Sequence, residues 1–167
     1  MCFNKLHMNQ NEEQLLLSSL SIEVDTIFLN LRKADQIIRH ELGLLHQDKF
    51  ELLTSYVIPP INQERLKKII YKIPPHHLLA DEYIVYMLDN KMNSIFKLIQ
   101  EYNEYLAQRK RAQDERDYLE LSSIDGQLSY YTRRLGAMIH HLNIHLNLIH
   151  VLLMNASVVT DTQQILV

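Results

Sequence analysis

Apolar side chains recur at alternating steps of three and four in three separate stretches of this chain, a spacing that predicts helices. Between Asn11 and His46 the repeat runs Leu17, Leu20, Val24, Ile27, Leu31, Ala34, Ile38 and Leu45, with Glu41 in its one polar slot. Leu16, Phe28 and Leu42 lie beside that stripe, while Asp25, Lys33 and Gln36 lie on other faces. Gly43 and Asp48 mark the end of this helix or a kink in it. Lys49 to Val57 reads as a further helical turn that packs Phe50, Leu53 and Val57.

The prolines come as two pairs, Pro59-Pro60 and Pro74-Pro75, and fence off one short segment. Within it Asn62 is placed to cap a helix and Glu64 falls in the first turn, where the helix dipole favours a carboxylate. Leu66, Ile69, Ile70 and Ile73 form one face of that helix, and Lys67, Lys68 and Lys72 the other.

The next stripe begins after Pro75, with Asp81 and Glu82 near its start. It runs through Ile84, Leu88, Ile95, Ile99, Tyr102 and Leu106, flanked by Met92, Phe96 and Leu98. Past Leu106, residues 107–118 mix Arg109, Lys110, Arg111 and Arg116 with Asp114, Glu115 and Asp117. This stretch is expected to project into water, held by pairs such as Lys110–Asp114. An RNA-binding patch is the sharper alternative.

The last stripe starts near Ser122, with Asp125 completing a capping box. It comprises Leu128, Tyr131, Leu135, Met138, Leu142, His145, Ile149 and Leu152, widened by Leu146, Leu148 and Leu153. Leu135 to Met154 contains no Asp, Glu, Lys or Arg. It has the length a bilayer requires. Its four histidines and two asparagines favour a buried core helix over a membrane span.

These elements predict an all-α fold: an elongated antiparallel bundle of three long helices and one short one, with coiled-coil-like seams. A helix of roughly 30 residues is about 45 Å long. Residues 1–155 are expected to form a single domain and 156–167 a loose tail. With only 3 Gly and 4 Pro in 167 residues, a turn-rich β fold is excluded. A net charge of −3 argues against a nucleic-acid binder acting through bulk charge. The single cysteine, Cys2, rules out an intrachain disulfide. No basic start with an apolar run follows Met1, so no signal peptide is expected. The reading is cytoplasmic, with no cofactor implied.

Three constellations carry candidate chemistry. His141 and His145 stand four apart, so two imidazoles on one helix face could hold a metal ion. Their alternative role is that of neutral histidines lining the core. On the opposite, polar stripe, with Ser129 and Thr132, Arg133 and His140 are nearly eclipsed, a pair able to hold a phosphate and move a proton. The third is the surplus of aliphatic area on the last helix. Leu142, Leu146, Ile149 and Leu153 are the expected partner-binding residues, the partner being another protein or a second copy of this chain.

Some short stretches resemble known families. Arg133-Arg134-Leu135-Gly136-Ala137-Met138-Ile139-His140 resembles the signature of the HEPN family of all-helical domains, many of them RNA-cleaving: an arginine, four to six residues, then a histidine. Arg134 departs from the Asn, Asp or His that usually follows the arginine. The resemblance implies catalysis by Arg133 and His140. His40-Glu41-Leu42-Gly43 resembles the start of the phospho-accepting box of sensor-kinase dimerisation domains, with Leu44 and Leu45 where that box continues differently. Glu41, Leu44, Asp48 and Leu52 resemble the helical hairpin of flagellar and type III export chaperones, which are small, acidic and all-α. The function expected from the whole is a non-catalytic interaction module (adaptor, chaperone or assembly subunit), with the RNA-cleaving protein as the alternative.

Overall fold

A computed structural model describes residues 10–72, 82–115 and 126–164. Among the described residues four helices pack together: α1 (Gln10–Leu45), α2 (Gln63–Lys72), α3 (Glu82–Asp114) and α4 (Gln127–Gln164), with a 3₁₀ turn at Phe50–Leu52. The described residues form no strand. Three of the helices have 33 residues or more, so the bundle is long; α4, with 38 residues, extends about 57 Å.

The expected stripes become the core. Leu20, Val24, Ile27, Leu31, Ala34 and Ile38 of α1 meet Leu88, Met92, Ile95, Ile99 and Leu106 of α3 and the inner face of α4. α4 packs along both α1 and α3, whereas α2 bridges α1 and α3 on the other side. α1 and α3 share one direction and α4 opposes both. Gly136 lies against Ile38 while His150 lies against Phe28, so α4 runs antiparallel to α1. Arg109 reaches Thr132 near the other end of α3, so α4 opposes α3 as well.

The return path from α1 to α3 is half extended and half helical. α1 ends where Asp48 adopts a left-handed φ of 54° and Lys49 donates its N–H to the Leu44 carbonyl at 3.0 Å. Gly43 stays inside the helix. Beyond the 3₁₀ turn, the chain from Leu53 to Ile61 forms no helix, and Leu53 itself is extended. Val57, expected in the core, is exposed, while Leu53 and Ile58 are buried. The proline pair explains this: a residue before proline is driven out of the helical region, and proline has no N–H to offer.

An extended segment leaves backbone groups without partners, and buried ones must find them. Side chains of α1 and α3 supply them here. Asn103 receives the Ile58 N–H at 3.1 Å and donates its amide to the Ile58 carbonyl at 3.0 Å. The Tyr102 hydroxyl donates to the Tyr56 carbonyl at 3.1 Å. α2 then starts as expected, Asn62 Oδ1 accepting the Arg65 N–H at 2.9 Å.

Two boundaries differ from the sequence expectation. The apolar stripe of α3 does not stop at Leu106 but continues through buried Arg109 and Ala112. Residues 156–164, expected as a loose tail, continue α4 as helix. The capping pair Ser122 and Asp125 lies outside the described residues, as do Ile73 and Asp81.

Candidate functional site

Arg109 is the most informative side chain in the fold. It is 1% exposed, as is Glu41. Its Nη1 lies 2.5 Å from Glu41 Oε2 and 3.3 Å from Thr132 Oγ1, and its Nη2 donates to the Thr54 carbonyl at 2.5 Å. The other oxygen of Glu41 accepts from the Thr54 N–H at 2.7 Å and the Thr54 hydroxyl at 3.1 Å. One guanidinium thus ties α3 to α1, to α4 and to the extended segment. An isolated buried charge costs many kcal/mol, so the two ions are tolerable because each closes the other's hydrogen bonds. This network is structural: its donors and acceptors are occupied by one another.

Tyr102 stands beside it in the core. Burial pushes its hydroxyl well above the usual tyrosine range, opposed by the Arg109 charge. His145 is half-buried on α4, facing Lys91. Desolvation first, then the charges of Lys91 and His141, hold its imidazole below the ordinary value of 6.5. Its Nδ1 is buried without a hydrogen-bond partner. A histidine so placed is held neutral. His141 is exposed and not on the core face as expected. Among the described residues no group of three or more His, Cys, Asp or Glu gathers as a metal site.

Arg133 and His140 are both exposed on α4. His140 stacks obliquely on His141, ring centroids 6.1 Å apart. Neither residue lines either of two surface grooves that lie elsewhere among the described residues. One is about 480 Å³ between the extended segment and α3, lined by Pro60, Ile61, Phe96, Ile99 and Asn103 among others. The second lies between α1 and α2. Ser129 and Thr132, expected to share that polar face, are buried instead.

The expected partner-binding residues are corrected outright. Leu142, Leu146 and Ile149 are completely buried and Leu153 nearly so. α4 meets two long helices rather than one, and this wide contact consumes the aliphatic arc. What remains on its outer face is a different set: Ile144, Leu148, Val151 and Met154 are exposed. By length and composition alone, α1 and α4 would each suffice to cross a membrane.

Compared with known protein families, curated proteins and solved structures, the chain shows no significant match. The short resemblances are therefore weighed by geometry alone. His40 is exposed, but the neighbouring Glu41 is committed to Arg109. After Leu45 the chain turns and becomes extended, so no helical hairpin begins at Leu44, Asp48 and Leu52.

A further surface cluster escaped the sequence reading. Arg134 lies over the Tyr105 ring at 5.7 Å, Tyr105 approaches Tyr131 at 5.9 Å, and Tyr131 meets Tyr130 edge-on at 5.3 Å. The signal was Tyr130-Tyr131 three residues before Arg134; its partner Tyr105 sits on another helix. Ring contacts of this kind stiffen the α3–α4 seam beside the buried arginine.

Proposed function

We propose that this protein is a non-catalytic interaction module, an adaptor, chaperone or assembly subunit, that offers the outer face of α4 to another protein. The observation that carries the reading is the exposed aliphatic run Ile144, Leu148, Val151 and Met154. Their steps of four, three and three place them along one side of a helix. Contiguous aliphatic surface left in water marks contact sites more often than scattered single residues do. Removing it from water contributes about 25 cal/mol per Å² before the costs of association. The polar rim is ready-made, with His140 and Asn147 exposed beside the run.

A photo-crosslinking residue at Leu148 tests this in cells. Adducts are expected with one or a few proteins, and they should vanish when Ile144→Asp and Val151→Asp are added to a chain that still melts normally. A probe at Lys97, on α3, serves as the comparison. Equal adducts from both positions, or none from Leu148, would refute the assignment.

The second reading, RNA cleavage, draws on Arg133 and His140 both facing water on the same helix. Cleavage of single-stranded RNA by purified protein, abolished by His140→Ala with an unchanged melting temperature, would establish it over the first.

A further inference from the structure

At one end of the bundle the seam between α3 and α4 carries rings and a guanidinium together. Arg134 lies over the Tyr105 ring, and Tyr105, Tyr131 and Tyr130 follow one another with centroids 5.9 and 5.3 Å apart. An edge-on contact covers at most one face of a ring, and Tyr130 is 56% exposed, so a flat face of Tyr130 meets water. Arg134 is exposed as well, and among the described residues no carboxylate pairs with it. The Tyr105 ring steadies its guanidinium without occupying the N–H donors. Steps of four, three and four put Tyr130, Arg134, Ala137 and His141 on one side of α4, all of them exposed.

The charge on this face of α4 has one sign. From Gln127 to Thr160 the chain holds Arg133 and Arg134 and no Asp or Glu. Of the α3 acids near Tyr105, Glu101 lies 4.0 Å from Lys97 and Glu104 faces the groove beside Pro60. We infer that this face binds a single-stranded nucleic acid, one base stacking on Tyr130 and the adjoining phosphate taking the N–H donors of Arg134. Such a strand repeats a flat ring and a phosphate in every residue, and an exposed ring beside a steadied guanidinium matches both. A duplex hides its base faces in its own stack, and a run of acidic side chains has no flat ring to offer. The inference needs neither the aliphatic run of α4 nor cleavage by His140.

Fluorescence anisotropy of the full chain with a labelled oligothymidylate of about 12 nucleotides at low salt tests it. A DNA strand has no ribose hydroxyl through which it could be cut, so binding is read apart from cleavage. Binding is expected in the range of about 1–100 μM. Tyr130→Ala should weaken it at least about fivefold, and Tyr130→Phe should stay within about twofold of the wild type, because the ring and not the hydroxyl is used. Arg134→Gln should weaken it about three- to tenfold and flatten the salt dependence. Lys68→Gln removes the same charge from α2, which packs on α1 and α3 away from this seam, and should change affinity by less than about twofold. All four variants should keep the helical dichroism of the wild type. No binding at about 100 μM, Tyr130→Phe as weak as Tyr130→Ala, Lys68→Gln as weak as Arg134→Gln, or polyglutamate competing as well as unlabelled oligonucleotide would overturn it.

Discussion

The Arg109 guanidinium sits 2.5 Å from the Glu41 carboxylate, 68 residues away in the chain, with both groups sealed from water. The pair is the point at which α1, α3, α4 and the extended segment are held in register. Hydrophobic stripes alone let helices slide by a turn; a buried ion pair with a single set of partners does not.

Breaking the pair should therefore cost more than deleting it. Arg109→Met strands the Glu41 carboxylate in the core and is expected to destabilise by about 3–5 kcal/mol. Arg109→Met combined with Glu41→Leu should recover a substantial part of that loss, because no charge is left behind. Urea melts of the four proteins give the coupling directly. Additive single losses would mean that the two side chains are not partners.

The extended segment depends on borrowed hydrogen bonds. Asn103→Leu removes both groups that hold Ile58, leaving a buried N–H and a carbonyl unpaired. A loss of about 2–4 kcal/mol is expected. Tyr102→Phe releases only the Tyr56 carbonyl and should cost about 1 kcal/mol at neutral pH. Its second effect appears in alkali. Burial raises the folded-state pKa of Tyr102 above the ordinary tyrosine value of 10.0, so its contribution is intact below pH 10 and declines as pH rises beyond it. Melting temperatures of wild type and Tyr102→Phe should therefore converge above pH 10.

His145 sets a dependence at the acid end. Its folded-state pKa lies below the ordinary 6.5, so the unfolded chain takes up its proton first. Stability should be fully present above pH 6.5 and fall as pH drops through that value. In His145→Gln this part of the decline should be absent. Identical pH profiles for the two proteins would show that the imidazole is not desolvated.

Much of the fold was legible in the sequence because helical burial is periodic. Leu20 to Ile38, Leu88 to Leu106 and Leu135 to Leu153 repeat with the turn of the helix, and they are buried as that repeat requires. Arg109 was not legible, because charge ordinarily marks a solvated face. Two signs pointed to it all the same. It falls three residues after Leu106 in the stripe, and Glu41 in an apolar stripe demands a buried cation. The extended path from Leu53 to Ile61 was hinted at by Pro59-Pro60 but not by Lys49 to Leu53, which favour no one state. The surface residues of α4 were misassigned for a geometric reason. Periodicity says that Leu142, Leu146 and Ile149 share a face; it does not say how many neighbours that face meets.

The phase of α4 underlies both the core and the proposed contact surface, and leucine-to-alanine changes on either side of Asn147 test it most directly. Leu146 is fully buried and Leu148 is exposed. Chemical denaturation should show Leu146→Ala losing about 2–5 kcal/mol and Leu148→Ala changing stability by no more than about 0.5 kcal/mol. A large loss at Leu148 with little at Leu146 would turn the helix over, placing the proposed contact surface inside the bundle.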